Sequence, residues 1–282
     1  MKILSFGEIL WDVFPTEKKI GGAPFNFAAH ASKLGAESFL VSAVGSDENG
    51  RDAIEEAKKL GIKTDYVSTD RKYATGVCKV TLNDGIPSYK IEENVAYDHI
   101  PDLCPNGSFD AVYMGTLAMR APDSRRSFDK LIRYTDAKEV FFDVNFRANF
   151  YSRDIVNILM NKATILKVSD EEIGFFGNRG TVNTVLELSK KYPKLKYICI
   201  TLGKEGAMVY DCRKRALLCS DKPKGKAVST VGAGDSFAAC FLTSLLSGYD
   251  VGVCLDRAVA LSDYVVTQLG AVPDYDAKSF FG

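Results

Sequence analysis

No excess of either charge appears in the sequence: 36 lysine and arginine residues stand against 36 aspartate and glutamate residues. That balance removes the positive field with which nucleic-acid binders gather phosphate backbones, so a small molecule is the expected partner and nucleic acid is not. Among seven cysteines there is no C-x-x-C pair, and several lie in apolar runs such as Tyr197-Ile198-Cys199-Ile200. Buried thiols in a reducing cytoplasm fit this better than zinc or a disulfide framework. No long apolar segment precedes a cleavage site, because Met1-Lys2-Ile3-Leu4 runs straight into a strand-like pattern; neither secretion nor membrane contact is expected. Internal repeats, low-complexity tracts and a dividing linker are also missing, so residues 1–282 are read as one domain. With 46% hydrophobic residues, a chain of this length can bury a large core.

Short runs rich in β-branched and aromatic residues alternate with helical patterns, the rhythm of strand-helix-strand units in a mostly parallel sheet. Strands are predicted at 2–6, 38–44, 110–115, 139–144, 163–168 and 196–201. Helices are predicted at 24–34, 47–60, 122–134, 152–161, 181–191, 232–247 and 251–268, several stopping at a glycine such as Gly35, Gly61, Gly248 or Gly270. The fold class is therefore α/β. Residues 74–98 break the rhythm, reading as two extended runs joined by Asn83-Asp84-Gly85, a hairpin signal. This hairpin is expected to stand out from the main sheet beside 11–22 as a lid, although an ordinary antiparallel edge is the competing reading. An apolar outer face on it would let two copies pair into a homodimer.

The most informative segment is Ser229-Thr230-Val231-Gly232-Ala233-Gly234-Asp235, which opens a strongly apolar helix. Glycines ahead of a helix let backbone N–H groups converge, and the unpaired donors of the first turn favour an anion. A carboxylate at the same helix start can accept a proton from a hydroxyl lying beside that phosphate. The helix end and nearby donors are expected to keep Asp235 ionised. Taken alone, the glycines could equally make a tight turn that Asp235 caps. A Rossmann fingerprint is excluded because Phe237 stands where a third glycine belongs, and no P-loop pattern occurs.

Thr230-Val231-Gly232-Ala233-Gly234-Asp235 resembles the C-terminal signature of the ribokinase-like (PfkB) carbohydrate kinases, and Gly21-Gly22-Ala23-Pro24-Phe25-Asn26 resembles their N-terminal signature. The similarity extends through Gly7-Glu8-Ile9-Leu10-Trp11-Asp12, Val44-Gly45-Ser46-Asp47, Asp143-Val144-Asn145-Phe146-Arg147 and Thr201-Leu202-Gly203-Lys204-Glu205-Gly206. It implies a three-layer fold with a small β-sheet lid, ATP and Mg2+ as cofactors, and phosphoryl transfer to a sugar hydroxyl. By that resemblance Asp12, Gly21, Gly22 and Asn26 bind the sugar, the glycines by letting backbone approach the ring. Gly232, Ala233 and Gly234 would hold the migrating phosphate beside the base Asp235, with Arg147 close to substrate and phosphate. Thr201, Gly203 and Gly206 would form the nucleotide loop, with adenine near Ser262 and Gly270, and Glu172 would organise magnesium through water.

Two positions depart from the family pattern. Ser169 stands where an asparagine precedes the magnesium glutamate, and Ser229 stands where many relatives carry an aspartate of a potassium site. Loss of that carboxylate puts monovalent-cation dependence in doubt. Several motifs look closest to bacterial fructokinases, which implies transfer to the 6-hydroxyl of fructose; ribose, 2-keto-3-deoxygluconate and nucleosides stay open as acceptors. A silent sugar sensor and a nicotinamide-dependent oxidoreductase are readings from other classes, the latter opposed by the missing dinucleotide fingerprint.

Overall fold

Runs such as Lys2–Phe6 and Ile165–Ser169 are apolar almost without interruption, which suits strands covered by helices on both faces. The structure, a computed structural model, describes residues 1–83, 86–103, 105 and 107–281. In chain order its first elements are β1 (Lys2–Phe6), β2 (Leu10–Val13), β3 (Lys18–Gly21), α1 (Ala23–Lys33), β4 (Glu37–Gly45), α2 (Glu48–Lys59), β5 (Val67–Asp70), β6 (Gly76–Asn83), β7 (Ile86–Ile91) and β8 (Ser108–Met114). Then follow α3 (Pro122–Tyr134), β9 (Asp136–Asp143), α4 (Arg153–Met160), β10 (Ile165–Ser169), α5 (Thr181–Lys191), β11 (Tyr197–Thr201), β12 (Ala207–Asp211), β13 (Ala216–Cys219), α6 (Ala233–Leu246), α7 (Val251–Val266) and α8 (Ala277–Phe281).

Nine strands form the main sheet in the order β13-β12-β11-β10-β9-β8-β1-β4-β5, all running one way except β12, which is antiparallel to both β11 and β13. Because side chains alternate along a strand, neighbouring residues serve opposite cores. Ile3, Ala111, Phe141 and Ile165 meet α1, α6 and α7 on one face. Leu4, Val112, Phe142 and Leu166 meet α3, α4 and α5 on the other. Helix α6 is apolar nearly all round and lies buried between α1 and α7, so its N-terminus is held at a fixed point of the sheet edge.

A separate four-stranded sheet has the order β3-β2-β6-β7, with β2 parallel to β6 and β6 antiparallel to β7. The predicted hairpin thus forms and joins the 11–22 segment; its Asp84-Gly85 turn lies outside the described residues. Strands β5, β12 and β13 were not anticipated. Val67–Asp70 is short and half polar, as an edge strand can be, and β12 returns antiparallel after the Thr201–Gly206 loop, for which a strand-to-strand turn is the alternative reading from sequence. Among the described residues no helix is long and apolar enough to cross a membrane.

Candidate active site

Parallel strands β1, β8, β9, β10 and β11 all end at one edge of the sheet, which is where open α/β sheets take ligands. A cavity of about 920 Å3 opens there. Arg147, Glu172, Thr201, Gly203, Gly206, Ala233, Gly234 and Ser262, assigned separately in the sequence, all line it. Gly270 follows α7 in a positive-φ turn and is not among the residues lining this cavity.

At the inner end of this cavity, Gly232 caps α6 in the left-handed conformation, with φ of 82°. A Cβ there would lie 2.2 Å from the Ala271 carbonyl oxygen, so the turn needs glycine both for its backbone and for its neighbour. Ala271 is itself held by His30, whose Nε2 is 2.9 Å from that carbonyl while Nδ1 is 2.8 Å from the Tyr275 hydroxyl. A carbonyl only accepts, so Nε2 carries the hydrogen and Tyr275 donates to Nδ1. Burial pulls this histidine down to about 4, keeping it neutral as the geometry demands. No acceptor among the described residues takes the N–H of Gly234 or Asp235. Those first-turn donors and the helix dipole make a site for an anion.

Asp235, the third residue of α6, is 8% exposed, and its Oδ2 accepts a 2.8 Å hydrogen bond from Asn26 Nδ2. Two motifs 209 residues apart in sequence therefore meet at the cradle. Burial pushes Asp235 up to about 6, with the charge of Asp143 adding to the rise and Asn26, Lys167 and Arg147 opposing it. Removal from water outweighs the helix end, yet a carboxyl near 6 is still mostly ionised at neutral pH.

Asp12 on β2 is half-buried and raised by burial, against a hydrogen bond from Cys78 across the small sheet and the charge of Arg147. Glu8 is buried and raised to about 7 by desolvation. Arg147 acts electrostatically on Glu8, Asp12 and Asp235, so the four groups lie near one another beside the cradle. Arg147 is exposed and forms no ion pair among the described residues, which leaves its guanidinium available. The two early glycines are also required by their protein neighbours: a Cβ on Gly21 would meet Asp12 Oδ2 at 2.9 Å, and one on Gly22 would meet the Glu8 carbonyl at 2.6 Å.

Glu172 bridges two strand ends, Oε1 accepting from Phe146 N at 2.7 Å and Oε2 from Ser169 N at 2.9 Å. Each oxygen keeps a lone pair, which suits a contact through water better than direct bidentate ligation. No group of three or more histidine, cysteine, aspartate or glutamate residues forms a metal cage among the described residues.

Sequence reasoning missed Lys167. Its Nζ lies 2.9 and 3.1 Å from the two Asp143 oxygens in a buried pair, and 3.0 Å from where a Gly234 Cβ would stand. Burial works against the ammonium, yet the facing carboxylate holds it above its ordinary value. The available signal was a lysine inside the apolar run Ile165-Leu166-Lys167-Val168, since a charge in a buried strand requires a partner.

The sequence profile of the pfkB family carbohydrate kinases matches residues 2–278. The fructokinase of Solanum tuberosum is 27% identical over 308 residues, covering 98% of this chain and 93% of the relative. The ATP-dependent 6-phosphofructokinase of Thermoanaerobacterium thermosaccharolyticum is also 27% identical over 308 residues, covering 99% of this chain and 93% of the relative. In fold, the chain matches the fructokinase of Xylella fastidiosa, solved with bound ATP, at a TM-score of 0.85 and 21% identity, covering 99% of this chain and 98% of the other.

Proposed function

The chain belongs to the pfkB family of carbohydrate kinases, and from that membership we propose that it transfers the γ-phosphoryl group of ATP to the 6-hydroxyl of fructose, with Asp235 as the base. The contact between Asn26 and Asp235 carries this reading, because it brings the acceptor side and the anion cradle to one carboxylate. ATP fits the 920 Å3 cavity with its base between the Thr201–Gly206 loop and Ser262 of α7 and its terminal phosphate on the Gly232–Gly234 turn. As the new O–P bond forms and the bond to the β-phosphate oxygen breaks, the hydroxyl proton passes to Asp235 and ADP leaves. Arg147 stabilises charge on the phosphoryl oxygens. Bound Mg2+ supplies further neutralisation of the triphosphate, and Glu172 is the residue that would hold it through water.

Charge on the acceptor side favours fructose over its phosphorylated or carboxylated analogues. Asp12 and Asp235 border that space, and Arg147 is the cation acting on both. Carboxyls match hydroxyls, whereas a second anion there would meet them unpaired. An ADP-release screen over fructose, ribose, 2-keto-3-deoxygluconate, adenosine and fructose 6-phosphate is expected to give fructose the highest kcat/KM. Higher kcat/KM with an anionic acceptor overturns the choice of sugar, and no ADP with any of them overturns the kinase reading. In the same assay, exchanging sodium for potassium leaves the rate unchanged if Ser229 has removed the monovalent site.

A base must be ionised, so activity should follow the acid set by the Asp235 environment. The folded value near 6 predicts that kcat/KM rises with pH through about 6 and levels off above it. A profile already flat from pH 5 to 8 would contradict the assignment.

The lid sheet ends in the open edges β3 and β7, and Tyr89 on β7 is 58% exposed. We infer that this sheet closes over the sugar and that two copies pair through it. Light scattering should then return about twice the 30.9 kDa chain mass, and a monomer mass refutes the pairing. The buried, unpaired thiols of Cys78, Cys199, Cys240 and Cys254 support a cytoplasmic setting.

A further inference from the structure

Helix α1 begins without a cap of its own: Gly22 at its N-cap has no side chain, and its first turn contains no acidic residue. Glu8 occupies that place from another part of the chain. Its backbone carbonyl and Cγ lie 2.6 and 3.3 Å from where a Gly22 Cβ would be, and the N–H of Ala23, first residue of α1, acts on its carboxyl. Glu8 is 3% exposed, and its Oε2 is buried with no hydrogen-bond partner. Asn26 hangs from this same turn, its backbone N–H donating to the Gly22 carbonyl at 2.9 Å. The side-chain Nδ2 of Asn26 is committed to Asp235, while its Oδ1 is buried and unpartnered.

We propose that Glu8 is a positioning residue for phosphoryl transfer: its buried carboxyl braces the first turn of α1 and thereby fixes Asn26, which in turn holds Asp235. The inference rests on the reading of Asp235 as the base. Oε2 is out of solvent reach, so Glu8 acts through α1 and touches no substrate. A side chain buried this deeply is costly as an anion, and desolvation raises Glu8 to about 7, so near neutral pH the carboxyl is close to half protonated. A proton on Oε2 would let that unpartnered oxygen donate as well as accept.

Glu8→Met keeps the volume and removes the polar brace, whereas Glu8→Gln keeps a neutral donor and acceptor. The methionine variant is expected to lower kcat by roughly 10- to 100-fold, the cost of a misplaced base, with the ATP KM unchanged. Glu8→Gln should hold kcat within about threefold of wild type, and Asn26→Ala combined with Glu8→Met should lose no more than Asn26→Ala alone. Wild-type kcat in Glu8→Met, or losses that multiply in the double variant, overturns the inference, even where Glu8→Met melts earlier. A Glu8→Gln variant as slow as Glu8→Met also overturns it. A wild-type protein that turns over no sugar fails the kinase reading instead, so the two failures are distinguishable.

Discussion

Asp235→Asn is expected to lower kcat by roughly two to four orders of magnitude while sugar affinity stays within severalfold, the usual scale for a lost general base. The substitution is nearly isosteric, and the new side-chain oxygen can still accept from Asn26 Nδ2, so the 2.8 Å link between α1 and α6 survives. What disappears is the capacity to take the hydroxyl proton. Calorimetric titration of fructose into the variant, beside single-turnover ADP formation, separates binding from chemistry. Loss of sugar binding with unchanged residual turnover would mean that Asp235 is a substrate ligand and that another group is the base. The acid limb near pH 6 should vanish with the carboxyl, which ties the pH profile to this residue.

Much of this site can be read from the sequence because its chemistry depends on local pattern. Glycines before an apolar helix, followed by an acid, announce an anion cradle, and the bounds predicted for α3 and α5 coincide with those of the structure. Each such element is specified by its own periodicity and caps. Long-range consequences were harder to read. The helix start points to an ionised Asp235 but not to its elevation, which comes from burial and from Asp143, 92 residues away. Likewise, Glu8 was visible as a letter in a motif, but its position under Gly22 exists only once β1 and α1 pack. The antiparallel β12 and β13 escaped notice because a turn signal following a strand serves a ligand loop and a hairpin equally well.

Lys167→Met is expected to destabilise the fold by about 3–5 kcal/mol, because it strands the Asp143 carboxylate in the interior. Asp143 is completely buried and accepts from Lys167 Nζ at 2.9 and 3.1 Å and from the Tyr113 hydroxyl at 3.2 Å. With the ammonium gone, only the tyrosine remains to offset the cost of burying that charge. The second substitution in Lys167→Met/Asp143→Leu should recover part of the loss, since removing both charges leaves only the Tyr113 hydroxyl without its acceptor. Urea denaturation of the wild type, both singles and the double provides the cycle, and an interaction below about 1 kcal/mol would show that the pair is not a coupled buried unit. Turnover should fall in the double even where stability returns. The ammonium lies beneath Gly234, so its removal takes positive charge from below the anion cradle, while Asp235 is not raised in the double, because the Asp143 charge that lifts it leaves as well and outweighs Lys167. A double variant with restored stability and wild-type kcat would confine this pair to holding the sheet together.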